Sequence, residues 1–357
     1  MIQYSALRFQ TLCFLAGLMI AMTVGAIASA KEPKPLFRDD SVLKLRIEAP
    51  FKELTRKAAR STDPYPATLI LEGAAPEQLS FTLSARGKSR RNRNLCTFPP
   101  LRVSFDEKPG EASIFDGQKR LKLVTHCRGS NSYQQYYMLE YTAYKLSNAL
   151  TPYSLKARMA EIDYVEADTG KVVASKFGFF IEDTDDAAKR NEMKEIDTPD
   201  IDVAQIAPSA AARYALFQYM IGNLDWSMHN GPDGNDCCHN TKLVGATAGA
   251  QNDLIPIAYD FDYSGLVDAP YAVAPEELRI SSVRTRRYRG FCAHNEEARA
   301  QGALIRENYQ AFYDAVNGVP TLSDRSRRST TKYLDRFFED IESDEQLEKR
   351  LLAACRD

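Results

Sequence analysis

After residue 30 the sequence contains no apolar run approaching the roughly 20 residues that cross a bilayer, so stable membrane insertion of the mature chain is not expected. It also lacks an excess of either charge. Lys and Arg number 46, Asp and Glu 48, and the formal net charge is −2. Such a balance gives no support for wholesale nucleic-acid binding, although short basic runs stand at residues 88–93 and 284–289. Internal repeats and low-complexity tracts are missing. Tryptophan occurs once, as Trp226, which reads as a packing anchor. A G-x-G-x-x-G loop is absent too, leaving the single Gly87 at the only comparable turn.

What is present first is a leader. Arg8 is the only charged residue before residue 31, residues 12–28 are almost unbroken in their apolarity, and Ala28-Ser29-Ala30 has the small-x-small form of a cleavage site. Residues 1–30 therefore read as a secretory signal peptide, and the mature protein as exported, periplasmic or secreted. Cys13 leaves with that segment. Cys96, Cys127, Cys237, Cys238, Cys292 and Cys355 remain, an even set that implies three disulfides in an oxidising compartment. Cys96 and Cys127 lie in neighbouring segments and are expected to staple the first half, with the other four fastening the second. A rival is a metal site built from Cys237, Cys238 and His239 with His229 or His294, which would suit a metal-dependent hydrolase. Adjacent cysteines fit the usual C-x₂₋₄-C zinc spacing poorly.

Hydrophobic content of 44% and charged content of 26% are those of an ordinary folded protein. The chain left after residue 30 exceeds the size at which single cores stop growing, so two lobes are expected, over residues 31–181 and 182–357. The first reads as strands at 67–72, 79–85, 101–105 and 121–125, a helix at 136–149, and strands at 156–165 and 171–181 joined by the turn Asp168-Thr169-Gly170. A polar crossing at 182–186 marks a hinge. In the second, Ser209 is placed to cap a helix at 210–221 that Gly222 closes. Short strands follow at 242–244 and 254–258, then helices at 302–316 and 324–341.

The chemistry concentrates in Gly222-Asn223-Leu224-Asp225-Trp226, His239-Asn240 and Ala258-Tyr259-Asp260-Phe261-Asp262. These place carboxylates and amides around a short apolar strand in the order phosphoryl transfer requires. A loop Asp can accept or orient a hydroxyl proton, an Asn before the strand can ligate Mg²⁺, and an Asp after the next strand can hold the metal bridging nucleotide phosphates. The plainer alternative is that Asp225 braces a turn while Asp260 and Asp262 satisfy loop amides.

The segments ARGKS, FPPLRVSF and IFDGQKRLKLVTHC, followed by a helix, two strands and FFIED, resemble the spore coat protein H (CotH) kinases. The series NLD, HN and AYDFD resembles both that family and the HipA-type atypical kinases. The resemblance implies an α+β, two-lobed protein-kinase-like fold with a β-rich small lobe and a mostly helical large lobe. It also implies an ATP- and Mg²⁺-dependent kinase whose acceptor is a hydroxyl on an exported protein or small molecule. On it, Asp225 matches the catalytic-loop Asp, Asp260 the metal-binding Asp, and Asn240 the metal-binding Asn, with Asn230 as the alternative and Asp262 as a second ligand. Residues 231–238 depart from the family spacing as an insertion. A cation must also reach the phosphates from the strands: Lys122 first, then Arg102, then Lys88, with Glu140 pairing Lys122. The alternative reading is a kinase-like binding or scaffold protein of the cell envelope without turnover.

Overall fold

The computed structural model describes residues 31–73, 76–232 and 237–357. The leader expected over residues 1–30 lies outside them. Strand β1 (Leu43–Ala49) buries Leu43, Leu45, Ile47 and Ala49 and leaves the residues between them partly or fully exposed. This period of two marks a sheet with one covered face. The pattern continues through β2 (Tyr65–Leu71), β3 (Glu77–Ala85), β4 (Leu101–Ser104) and β5 (Arg120–Val124), each antiparallel to its predecessor. After a long helix the chain returns as the hairpin β6 (Ala157–Glu166) and β7 (Val172–Ile181). Strand β7 joins β5, and β6 runs parallel to β1 from Leu43↔Ala160 to Ala49↔Glu166. The sheet is thereby closed into a seven-stranded barrel.

Its interior is filled by side chains such as Ile47, Leu69, Leu83, Val103, Leu121, Ile162 and Phe180. Helix α1 (Phe51–Lys57) adds Phe51, whose ring packs on Phe98 and Tyr164. A filled barrel is a core, and its closure leaves no sheet edge among the described residues of the first half.

The second core lies outside the barrel. Helix α2 (Asn131–Leu150) starts earlier than the apolar pattern suggests, where the Ser130 hydroxyl caps the Tyr133 N–H at 3.4 Å. It buries Met138, Tyr141 and Tyr144 against Met159, Phe179 and Ile181 on the barrel wall. Helix α3 (Thr184–Arg190) follows, capped by Asp183, and then β8 (Lys194–Ile196). Helix α4 (Pro208–Ile221) leads to β9 (Thr241–Gly245) and β10 (Ile255–Ala258), which with β8 form a three-stranded sheet in the order β10-β9-β8. Helices α5 (Asn295–Glu307), α6 (Tyr309–Asn317), α7 (Asp324–Asp340) and α8 (Asp344–Arg350) complete the chain.

Several expectations are corrected here. The two-lobed kinase-like fold, a β-rich small lobe beside a mostly helical large lobe, is not what forms. The chain builds a closed barrel, a separate small sheet and, among the described residues, eight α-helices. The cause is the parallel pairing of β1 with β6, a contact between distant segments that no local pattern reports. Ser209 does not cap α4, which begins at Pro208; the Ser209 hydroxyl accepts instead from Gln301 of α5 at 2.9 Å. The single helix expected at 302–316 is two, because the chain leaves helical geometry at Asn308. Within the polar crossing at 182–186, Glu182 is buried in an ion pair with Arg190 at 3.0 Å.

The cysteines pair as Cys96–Cys127, Cys237–Cys238 and Cys292–Cys355. Among the described residues no helix is long and apolar enough to cross a membrane.

Candidate active site

Gly222 fixes where the first loop leaves α4. Its φ of +63° is the left-handed conformation that closes a helix, and a Cβ there would lie 2.0 Å from the Tyr333 hydroxyl. The next residues are locked at once. The Asn223 side-chain oxygen accepts from the Asp225 N–H at 3.1 Å, and its carbonyl accepts from the Trp226 indole N–H at 2.9 Å. Trp226 is buried edge-on to Tyr214 with the Arg289 guanidinium over its ring. The loop is thus pinned by the anchor expected of this residue, and the Asp225 carboxylate emerges half-buried from a rigid base.

The β9–β10 hairpin brings the other two loops alongside. Its register pairs Thr241 with Ala258, so Asn240 and Tyr259 meet beyond the last pair, with the Tyr259 N–H donating to the Asn240 carbonyl at 3.2 Å. The Asn240 side-chain amide donates to the Asp225 carbonyl at 2.8 Å and to its carboxylate at 3.0 Å. The other carboxylate oxygen lies 2.7 Å from Nε2 of His239. That contact, with the Asp225 charge behind it, pushes the His239 imidazole above its ordinary value.

Asp260 sits at a φ of +63°, and its N–H donates to the Tyr144 hydroxyl of α2 at 3.2 Å. Phe261 plugs into the core between Tyr144 and Phe217. These contacts aim Asp260 outward and Asp262 inward.

One cleft of about 630 Å³ gathers the result: Asp225, Asn240, Asp260 and Asp262 all line it, and Lys88 lines its rim. The rim is the turn Arg86-Gly87-Lys88, in which Gly87 takes a φ of +79° and faces open space. Arg86 lines the cleft, and its Nε has no hydrogen-bond partner among the described residues. Burial pulls its guanidinium below the ordinary value, and the Asp260 charge opposes that fall.

The remaining expected residues are placed differently. Lys122 projects from the outer face of β5 with its ammonium 4.5 Å from the centre of the Tyr259 ring, which lines the cleft. Burial, aided by Arg86, pulls Lys122 down to about 8. Arg102 stands opposite Lys122 on β4 and faces away from the cleft, into a neighbouring groove. Glu140 does not pair with Lys122. It is fully buried against Arg90 at 3.2 Å, and Arg90 also reaches Asp262 at 3.4 Å. Burial raises the carboxyls of Glu140 and Asp262, to about 7 and about 6, against the pull of Arg90. Asp262 further accepts from the Tyr271 hydroxyl at 3.0 Å, so Arg90 and Tyr271 both engage its Oδ2. Asn230 is exposed beside Ser227 and does not line the main cleft.

Sequence reasoning passed over Arg86, Arg90 and the His239 contact. Arg86 stood inside the quoted ARGKS segment, whereas nothing local marks Arg90 as the partner of a helix fifty residues on.

A cation here would depend on few groups. Among the described residues no three His, Cys, Asp or Glu side chains converge to hold a metal ion. Cys237 and Cys238, joined to each other, are not available as zinc ligands. The Asp260 carboxylate and the Asn240 side-chain oxygen have no hydrogen-bond donor among the described residues. One carboxylate, an amide oxygen, waters and ligand oxygens make a set that suits Mg²⁺. In comparisons with known proteins, no family model and no curated protein matched the chain.

Proposed function

We propose that the protein is an exported, Mg²⁺-dependent phosphotransferase that moves the terminal phosphoryl group of ATP to a hydroxyl. The observation that carries this reading is the convergence of Asp225, Asn240 and Asp260 on one cleft roofed by the Arg86-Gly87-Lys88 turn. Such a reaction calls for neutralised charge and aligned oxygens more than for covalent help. Asp260 and the Asn240 side-chain oxygen would hold the magnesium, which when bound neutralises charge on the phosphate oxygens. Arg86 and Lys88 bring cations to the phosphates from the rim, and Gly87 lets the backbone approach closely. Lys122, the first choice from the strands, lies behind Tyr259 in the neighbouring groove and is not given this role.

Asp225 orients the acceptor hydroxyl and receives its proton. His239 and Asn240 hold both carboxylate oxygens, which fixes the direction in which that proton can leave. The role assigned to Asp262 by resemblance passes to structure: with Arg90 and Tyr271 it supports the floor of the cleft.

A second reading, a binding or scaffold protein without turnover, draws on the same engagement of Asp225 and Asp262 by protein groups. Transfer from labelled ATP to a mixture of exported proteins separates the two. Wild type should label an acceptor, and Asp225→Asn should lose transfer while keeping nucleotide affinity. Equal transfer by wild type and Asp225→Asn would refute the role given to Asp225. Retained nucleotide binding with no transfer by wild type would favour the scaffold.

A further inference from the structure

Beside the cleft, the outer face of β4 and β5 floors a second groove of about 580 Å³, lined by eight basic and four acidic side chains. Three of the acidic four are ion-paired within the protein, and the fourth, Asp183, serves as a helix cap near Lys122. Asp186 meets Lys34 at 2.7 Å, Glu195 meets Lys242 at 2.8 Å, Asp185 meets Lys189, and Asp183 caps the Asp185 N–H. What is left is cationic: Arg102, Lys108, Lys119, Arg120 and Lys122, none ion-paired to a carboxylate among the described residues.

The register sets this wall apart from an ordinary solvated face. Arg102 stands directly across from Lys122, and like charges in opposed positions weaken a strand pair. Arg120 and Lys122 point the same way about 6–7 Å apart along one strand, which lines up successive cations on one face. Five unpaired cations on one wall are matched best by an occupant that carries several negative groups. An acidic peptide would also need partners for its backbone, and this wall has none to give, because β4 and β5 are hydrogen-bonded on both sides within the closed barrel. A chain of phosphates has no such need, and arginine forks suit its oxygens. Lys242 lines both the groove and the cleft, so the two spaces adjoin.

We propose that this groove binds a condensed phosphate chain, held by Arg102, Lys119, Arg120 and Lys122. The same chemistry is presented by free inorganic polyphosphate and by the tail of a nucleotide, and the assignment is to the free chain. It does not rest on the phosphotransferase reading. Calorimetric titration with sodium tripolyphosphate and with long-chain polyphosphate, at constant ionic strength, tests it. Wild type should bind both. The exposed double substitution Lys119→Glu/Arg120→Glu should weaken each by at least about tenfold. Asp260→Asn should leave tripolyphosphate affinity unchanged, and the double variant should leave the affinity for ATP with Mg²⁺ unchanged.

Four outcomes would overturn the proposal: no binding of tripolyphosphate by wild type, equal binding by the charge-reversed variant, displacement of tripolyphosphate by poly-glutamate at equal concentration, or loss of ATP binding in the double variant. An unchanged melting midpoint and circular dichroism establish that the variant is folded. Lys119→Gln/Arg120→Gln gives the same comparison with a milder change.

Discussion

His239 and Asp225 approach to 2.7 Å, and this contact is the main reason the imidazole keeps a proton above its ordinary value of 6.5. The native state therefore binds that proton more tightly than the unfolded chain does. The stabilisation is complete below about 6.5 and fades as the pH rises through the raised native value. The difference in melting midpoint between wild type and His239→Ala should accordingly be larger near pH 6 than near pH 8. A difference that grows with pH would contradict the ion-paired assignment. Residues whose convergence was legible in the sequence are those a loop delivers directly: Asp225, Asn240 and Asp260 meet at one cleft, where spacing around a short strand put them. Roles set by partners from elsewhere were not legible. Asp262 looked like a ligand but is met by Arg90, and Glu140 looked like a partner for Lys122 but faces the same arginine.

Elements are held together at this site by that buried arginine. Arg90 lies in the turn after β3, Glu140 on α2 and Asp262 in the loop after β10, so one guanidinium ties the barrel to the second core. Arg90→Met would leave two buried carboxylates facing each other without a countercharge. It should cost roughly 3–5 kcal/mol in chemical denaturation, and Arg90→Met/Glu140→Leu should recover part of that loss. A cost below about 1 kcal/mol would show that solvent, and not Arg90, compensates these groups. Gly222 gives a second test at this scale. Gly222→Ala meets both a positive φ and the Tyr333 hydroxyl, and should destabilise by about 1–3 kcal/mol, with partial rescue in Gly222→Ala/Tyr333→Phe. Strands with clean alternation, such as β4 and β5, and the α4 stop at Gly222 were readable because their cause is local. The start of α2 at Ser130 and the break between α5 and α6 were not, since the first turn of α2 is largely polar and the break is a change of backbone geometry within an amphipathic run.

For the molecule as a whole, closure of the barrel and the cross-links decide stability. Closure depends on β1 meeting β6, and because that pairing is long-range it could not be read from strand patterns that were otherwise correct. The cysteine pairs were partly legible: Cys96 and Cys127 staple the first half as their proximity suggested, whereas the vicinal Cys237–Cys238 pair was not foreseen. Beyond residue 30 no free thiol should react under denaturing, non-reducing conditions. Cys96–Cys127 and Cys292–Cys355 close separations of 31 and 63 residues. In the chain-entropy picture, loss of either should cost about 4 kcal/mol. Two or more reactive thiols would contradict the pairing. Reduction that left the melting midpoint unmoved would show that the barrel and helical cores suffice without the cross-links.

The most direct measurement of the central claim is the melting midpoint of the chain from residue 31 onward titrated with ATP, with Mg²⁺, and with both. Convergence of Asp225, Asn240 and Asp260 on a magnesium–nucleotide site predicts stabilisation that requires both ligands, is retained in Asp225→Asn and is lost in Asp260→Asn. No shift at millimolar nucleotide, or an equal shift in Asp260→Asn, would contradict it.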